Sequence, residues 1–396
     1  MSIFLKILVL NSGSSSLKYK FFDMNTEKAL ISGHVDGIGL DRCFVKLEFD
    51  DKVEEKNVVV KDHVDAVMLA LKSLKEKNII KDYSEINAVG HRVVHGGEYY
   101  SQPAIIDDRV IRRIKELFDI APLHNPPNLA GILACRKMLP RIPQIAVFDT
   151  AFHQTMPPHA YLYGLPYELY EKYKIRKYGF HGTSHKYVSE QAIKLLGKKD
   201  AKIITCHLGN GASLAAIRNG KSVDTTMGFT PVDGLLMGTR VGELDPDIPI
   251  YLMRDKGFKL KEVEEILNKK GGLLGVSGLT QDVRDLWKAK LRGNKRAKLA
   301  LDLFAFRTAF FIGGYIAILG GLDALVFSAG IGEHAWHVRR DICSYLTPFG
   351  IEIDQELNKK NHLLISKPHS KVKVYIIHTN EELQIAKETR DLIHKP

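Results

Sequence analysis

Two stretches of the same kind, far apart in the chain, constrain this fold more than anything else. ILVLNSGSSSLKYKFFDM (residues 7–24) reads as an apolar strand from Ile7 to Leu10, a turn of small residues from Asn11 to Ser16, and a second extended run from Leu17 to Phe22. IITCHLGNGASLAAI (residues 203–217) repeats the pattern, with Gly209, Asn210, Gly211, Ala212 and Ser213 in the turn. The two turns align to within about one residue, which points to two related half-molecules. Each would present its turn to a shared cleft. Such a turn exposes backbone N–H groups and hydroxyls with no bulky side chain in the way, which suits a phosphate. An ordinary hairpin with a polar tip accounts for the first stretch by itself equally well.

At 396 residues the chain is long enough for two or three domains, and 45% hydrophobic with 26% charged residues is a globular composition. The net charge of +11 is spread out, and its densest run, KLRGNKRAK from Lys290, reads as a solvated helix face rather than a nucleic-acid patch. Four cysteines without paired spacing fit unbridged thiols in a reducing compartment. Met1 runs directly into the first strand, so no leader and a cytoplasmic location are expected. TAFFIGGYIAILGGL (residues 308–322) is shorter than the ~20 residues of a membrane span and is broken by glycines. It is expected to be a helix buried in the core or at a subunit interface, with no membrane contact.

Further along, β-structure is expected to about Val60, with Gly33, Gly37 and Gly39 as turn residues. Asp62 caps a helix to about Lys77 with Val64, Val67, Met68 and Leu71 on one face. Ile86 to Val89 is a strand ending at GHRVVHGG, with Arg92 just beyond it. A helix spans Arg109 to Phe118, and another ends at Pro140. Ile142 to Phe148 is a strand delivering Asp149. An aromatic and proline-rich stretch from Thr150 marks a domain boundary, which gives 1–149 plus 382–396 as one domain and 150–381 as the other. GFHGTSH is a loop feeding a helix. Ala324 to Ser328 is a strand leading through a glycine turn, AGIGEH, into a helix. Val372 to His378 is the last strand, and TNEELQIAKETRDLI is a final helix returning to the first domain. Alternating strands and helices make the class α/β. GxxxxGK[ST] is absent, so this is no P-loop protein, and AGIGEH lacks the third glycine of a dinucleotide fingerprint, which leaves a Rossmann dehydrogenase only as an alternative.

His91 with His95, and His181 with His185, have a four-residue spacing that could bind zinc on a helix, but the glycines around them argue for loops. His181 reads equally as a group offered to a ligand and as a histidine satisfied within the fold. Arg92 and Arg240 are flanked by small residues, so their planar forks suit phosphate or carboxylate, with surface ion pairs as the plain alternative. Asp149 and Glu381 sit at strand ends, where ligands gather, though each could merely favour a helix start.

NSGSSSLKY, HRVVHGG, GFHGTSHKYV, HLGNGAS, MGTRVGELDP, AGIGE and TNEELQIA, in this order, closely resemble the acetate kinase family over essentially the whole chain. The resemblance implies a duplicated ribonuclease H-like fold, shared with sugar kinases, actin and heat-shock ATPases, with an acyl side in the first domain and the nucleotide in the second. By matching motif it implies Asn11 and Glu381 around magnesium, with manganese as a substitute. Lys18 and the turn His207, Leu208, Gly209, Asn210, Gly211 lie on ATP phosphates, with Asn210 also placed among the catalytic groups. Asp282, Val283 and Arg284 bind the nucleoside, and Gly330, Ile331, Gly332, Glu333 and His334 cover the adenosine. Arg92 and Arg240 hold the acyl group and the phosphoryl in flight, His181 stabilises the transition state, and Asp149 is a proton donor or acceptor. Val94, Leu123, Phe180 and Pro231 match the pocket for the acyl methyl. Val241, Glu243 and His334 replace the Ser, Asp and Asn common in the family.

The chemistry stands on its own terms. A carboxylate with a pKa near the Glu value of ~4.3 is ionised at neutral pH and needs no general base. The obstacle is bringing it to the anionic γ-phosphate, so the site must supply positive charge and alignment. Asp149 is therefore expected to act mainly through magnesium or its water. The expected reaction is ATP + acetate ⇌ ADP + acetyl phosphate by in-line transfer, within domains that close over it. Propionate is the near rival, since one methylene is worth only ~1–3 kcal/mol in a pocket. An actin-type or heat-shock-type ATPase module and a nucleic-acid binder are the rivals of other classes. A homodimer is expected through the apolar helix at 308–322.

Overall fold

A computed structural model describes residues 5–394 of the chain. The start of the chain at Met1, read above as running straight into the first strand, lies outside them. The chain separates into two compact units, residues 1–154 with 380–396, and residues 155–379.

The first unit is built on an eight-stranded sheet. Its strands in chain order are β1 (Lys6–Ser12), β2 (Ser16–Asp23), β3 (Lys28–Asp36), β4 (Cys43–Phe49), β5 (Lys52–Val58), β6 (Ala88–Val93), β7 (Ala104–Ile105) and β8 (Gln144–Phe148). Their spatial order is β5-β4-β3-β2-β1-β6-β8-β7. β1 pairs antiparallel with β2 and parallel with β6, which pairs parallel with β8. Side chains alternate across a strand, so each buried strand supplies two faces. Leu8, Leu10 and Val89 face the helices His63–Glu76 and Asn125–Met138, packing with Ala66, Val67, Leu71, Ala134 and Cys135. Val9 and Gly90 are register partners on the opposite face. A Cβ at Gly90 would meet Thr389 Oγ1 at 2.5 Å and Ile385 Cγ2 at 2.8 Å, so glycine there lets the helix Glu381–Ile393 lie close on the sheet.

The second unit carries a five-stranded sheet of β9 (Lys202–Leu208), β10 (Ala212–Arg218), β11 (Lys221–Thr225), β12 (Ala324–Ser328) and β13 (Lys373–Ile376), in the order β11-β10-β9-β12-β13. Three antiparallel strands followed by two parallel ones repeat the pattern of β3-β2-β1-β6-β8 in the first unit. This is the duplicated ribonuclease H-like fold. In both units a three-residue turn joins the first two strands, closed by Gly13 N–H to Ser16 O at 2.8 Å and by Gly209 N–H to Gly211 O at 3.0 Å.

Several local expectations are corrected. Gly33 is not a turn residue but lies inside β3, where a Cβ would collide with the Tyr19 ring at 2.2 Å. Met68 is exposed, and Ala66, Ala70 and Leu74 complete the buried face with Val67 and Leu71. Arg92 and His91 lie inside β6, which runs further than expected, and His185 lies in the helix Gly182–Leu196. No glycine turn follows β12, because Gly330 and Gly332 are within the helix Ala329–His334. The basic run at Lys290 is no single helix face. It spans the corner between the helices Val283–Leu291 and Lys295–Leu319, with Arg296 donating to the carbonyls of Gly275 and Val276.

The uncharged stretch at 308–322 belongs mostly to that second helix, which has 25 residues. By length and composition alone it is long and apolar enough to cross a membrane. Ala300, Leu301, Phe304 and Ile312 are buried in the unit, whereas Phe306, Phe310 and Ile318 are exposed. All four cysteines are buried and unbridged.

Candidate active site

Period-two alternation assembles the site in the first unit. Asn11 lies two residues beyond Val9 on β1, and Arg92 two beyond Gly90 on β6, so both share the face on which the C-terminal helix packs. Asp149 follows β8 with the parity of Val147, the register partner of Arg92, and its N–H donates to Val93 O at 3.0 Å. The C-terminal helix starts on this face. Asn380 caps it by accepting from Leu383 N, and this leaves Glu381 in the first turn. Arg92 Nε donates to Asp149 Oδ1 at 3.2 Å, and Nη2 donates to Oδ2. Arg92 Nη1 reaches Asn11 Oδ1 at 3.4 Å, and Nε lies 3.9 Å from Glu381 Oε2. Lys18 stands opposite Asn11 in the β1–β2 register.

The charges act on one another strongly. Burial works against the Arg92 charge, but Asp149, Glu381 and Glu382 outweigh it and hold the guanidinium firmly protonated. Burial pushes the Glu381 carboxyl above the ordinary carboxylate range, Arg92 and Lys18 pull it down, and Asp149 and Glu382 add to the push. Among the described residues no three His, Cys, Asp or Glu side chains form a metal cage. The donors near Arg92 are an amide oxygen and two carboxylates, hard oxygens that fit a magnesium ion completing its shell with water and phosphate. Val94 is buried, with its N–H donating to Asn128 Oδ1 at 3.0 Å, whereas Leu123 is 65% exposed.

In the second unit the same alternation puts Thr205 and His207 of β9 on one face, together with Ser213, the register partner of His207 on β10. The helix Gly182–Leu196 covers that face and brings Ser184 and His185 onto it. His181 is its N-cap, in a left-handed conformation at φ 56°. His181 Nδ1 and Ser213 Oγ are 2.9 Å apart, Ser213 Oγ and His185 Nε2 2.7 Å, and His185 Nδ1 and Thr205 Oγ1 2.7 Å. His207 stacks on His181 with ring centroids 4.1 Å apart, and its Nδ1 meets Ser184 Oγ at 2.7 Å. The turn Gly209–Gly211 runs beside them. A Cβ at Gly211 would sit 3.4 Å from His181 Nε2 and 3.5 Å from Arg240 Nη1, so the two groups converge there.

Arg240 is half-buried, and among the described residues its guanidinium is hydrogen-bonded to neutral groups only, Pro231 O at 3.2 Å and Met237 Sδ at 3.8 Å. Burial lowers its pKa below the ordinary guanidinium value, and among the described residues no carboxylate offsets this. A guanidinium without a carboxylate partner is free to hold an anion. Phe180 is buried and Pro231 partly so.

On the other side of the turn lies a cavity of about 530 Å³. It is lined by Gly209, Asn210, Asp282, Val283, Arg284, Gly330, Ile331 and His334, and by three residues sequence reasoning missed, Gln281, Ala335 and His337. Asp282 caps the helix Val283–Leu291 and pairs with Arg284 at 2.5 Å. His337 stacks on Trp287 at 4.2 Å. Three of the residues expected at the nucleotide turn inward. The Leu208 side chain and Gly332 are buried. Glu333 is buried too, accepting from Ala329 N at 2.8 Å, Thr379 N at 3.1 Å and His378 Nδ1 at 2.6 Å, so its oxygens are consumed by the protein.

A family profile described as the acetokinase family matches residues 6–387. The chain belongs to that family. Among curated acetokinase relatives, an acetate kinase of Methanosarcina thermophila is 53% identical over 396 residues, covering 98% of this chain and 97% of the relative. An acetate kinase of Caldicellulosiruptor saccharolyticus is 54% identical, covering 99% of this chain and all of the relative. Of solved acetokinase-like structures, an acetate kinase of Porphyromonas gingivalis is 45% identical with TM-score 0.94, covering 98% of this chain and 100% of that one. A propionate kinase of Francisella tularensis is 44% identical with TM-score 0.93, covering 98% and 99%.

Proposed function

We propose that the protein catalyses reversible transfer of the γ-phosphoryl group between ATP and acetate. An acetate oxygen attacks the γ-phosphorus, the bond to the bridging β,γ oxygen breaks, and its electron pair leaves on ADP. The observation that carries this reading is Arg240, a half-buried guanidinium bonded, among the described residues, only to neutral groups, and converging with His181 beside the glycine turn. Two anions must meet there, and the barrier is their repulsion and their alignment. Arg240 and Arg92 hold the acyl group and the moving phosphoryl, and His181 and Asn210 donate to phosphoryl oxygens. Val94, Leu123, Phe180 and Pro231 enclose the methyl group. Lys18 and the 207–211 turn hold the phosphates, and the cavity by Asp282 and Ile331 takes the nucleoside. Asn11 and Glu381, with Asp149 nearby, would hold Mg²⁺, which supplies neutralising charge at the phosphates when bound. The first unit carries the acyl side and the second the nucleotide. The exposed apolar residues Phe306, Phe310 and Ile318 support a homodimer, and four buried thiols support a cytoplasmic setting.

Hydroxylamine trapping of the acyl phosphate, with ATP, Mg²⁺ and a series of short carboxylates, tests the reading. Trapped acetyl hydroxamate with ADP release supports it, and ATP hydrolysis without hydroxamate rejects it. The 44% identical propionate kinase structure favours propionate as the second acceptor, and the ratio of kcat/KM between the two acids decides.

A further inference from the structure

Behind His181 runs a chain of buried hydroxyls and a second histidine, and its protons can be counted. Thr205 is fully buried, and among the described residues its hydroxyl has one hydrogen-bond partner, His185 Nδ1. Ser213 is also fully buried, and its hydroxyl bonds to two ring nitrogens, His185 Nε2 and His181 Nδ1. Each hydroxyl has one proton to donate. A buried hydroxyl proton without an acceptor is costly.

One arrangement gives both protons an acceptor. Thr205 donates to His185 Nδ1, so His185 carries its proton on Nε2 and donates to Ser213 Oγ. Ser213 then donates to His181 Nδ1, which leaves the His181 proton on Nε2. Reversing the chain strands the Thr205 proton. Protonating both nitrogens of His181 strands the Ser213 proton instead. His207 stacks against the His181 ring, His185 lies behind Ser213, and Arg240 Nη1 converges with His181 Nε2 at Gly211. His207 is served separately, by Ser184, which bonds on to Thr379 Oγ1 at 2.8 Å.

We propose that Thr205, His185 and Ser213 form a one-way hydrogen-bond relay that presents His181 as a neutral imidazole with its proton on Nε2. His181 then serves as a neutral donor beside the Arg240 cation, and Ser213 and His185 are positioning residues for it. The inference rests on the phosphoryl-transfer reading of the site.

Ring-nitrogen NMR of the full-length protein with ¹⁵N-labelled histidine tests the relay, with His181 assigned by the signals missing in His181→Gln. The expected spectrum has a protonated Nε2 and a bare Nδ1 from about pH 6 to pH 8, although a free histidine titrates near ~6.5. A proton on Nδ1, alone or together with Nε2, overturns the proposal. Thr205→Val removes the first donor and should turn the His181 spectrum into a mixture of tautomers, and an unchanged spectrum counts against the relay. Ser213→Ala should lower kcat by about 10–100-fold, the loss typical when a group orienting a histidine is removed. The KM values for ATP and acetate should hold, and kcat should gain an acid limb near pH ~6.5 that Ser213→Thr abolishes. A loss of kcat with no new limb means that Ser213 does not control the protonation of His181. The NMR readout needs no turnover, so a wrong acceptor assignment would leave it intact.

Discussion

Arg92 meets Asp149 fork to fork, with Nε donating to Oδ1 at 3.2 Å and Nη2 to Oδ2. Asp149 is 1% exposed, so the pair is an internal one. Removing one partner of such a pair costs about 3–5 kcal/mol, because the other charge stays buried without the fork that faced it. Arg92→Ala should therefore lose stability on that scale as well as turnover, read by thermal unfolding together with the coupled ADP-release assay. An unchanged melting temperature contradicts this.

Arg240 makes the opposite case. It compensates no carboxylate, so Arg240→Ala should leave the melting temperature nearly unchanged while kcat falls about 10²–10³-fold, by analogy with losing one oxyanion donor. Arg240→Lys should restore little, because a point charge cannot replace the fork. A raised KM with full kcat would remove Arg240 from transition-state stabilisation.

Asp149→Asn separates the two duties proposed for the carboxylate. The amide keeps the shape but not the charge that Arg92 grips. Turnover should drop and the magnesium dependence should shift to higher concentration. A normal magnesium titration with lost turnover assigns Asp149 to proton transfer instead.

Asp282 both caps the helix Val283–Leu291 and lines the cavity proposed for the nucleoside. Asp282→Ala should cost about 1 kcal/mol in stability through the lost cap and raise the KM for ATP. Asp282→Asn should keep the cap and still raise that KM, as judged by melting temperature against ATP titration.

Stability should fall in acid through two buried histidines. Burial lowers the His91 pKa to about 4, against a hydrogen bond to Gln144 that pulls it up, and burial lowers His337 to about 4 as well. Both folded-state values lie below that of an unfolded chain, so the unfolded state binds more protons in between. Their contribution is fully present above pH ~6.5 and is lost as pH falls toward about 4, roughly 1–3 kcal/mol for each. Chemical denaturation across that window should show the slope, and His91→Gln should reduce it by the His91 share, leaving that of His337.

The sequence announced the duplication, because strand, small turn and strand leave the same trace wherever they occur. A helix cap such as Asp62 was equally visible, since a cap is a local device. What stayed hidden depends on partners distant in sequence. Gly33 looks like any turn glycine until Tyr19 lies across it from the neighbouring strand. Glu333 follows two glycines and looks like part of a ligand loop, but its oxygens serve the N–H groups of Ala329 and Thr379. The His181–His185 spacing hinted at a shared face. Ser213 joins the two histidines only because β10 pairs with β9 in one register.

His181 occupies a left-handed backbone conformation that suits glycine and costs most other side chains of order 1–3 kcal/mol. Selection for robustness alone would replace it with glycine, giving a hardier protein that, on the function proposed here, is inert. Breeding this scaffold for heat tolerance without an activity screen therefore pulls against the very position that keeps it useful.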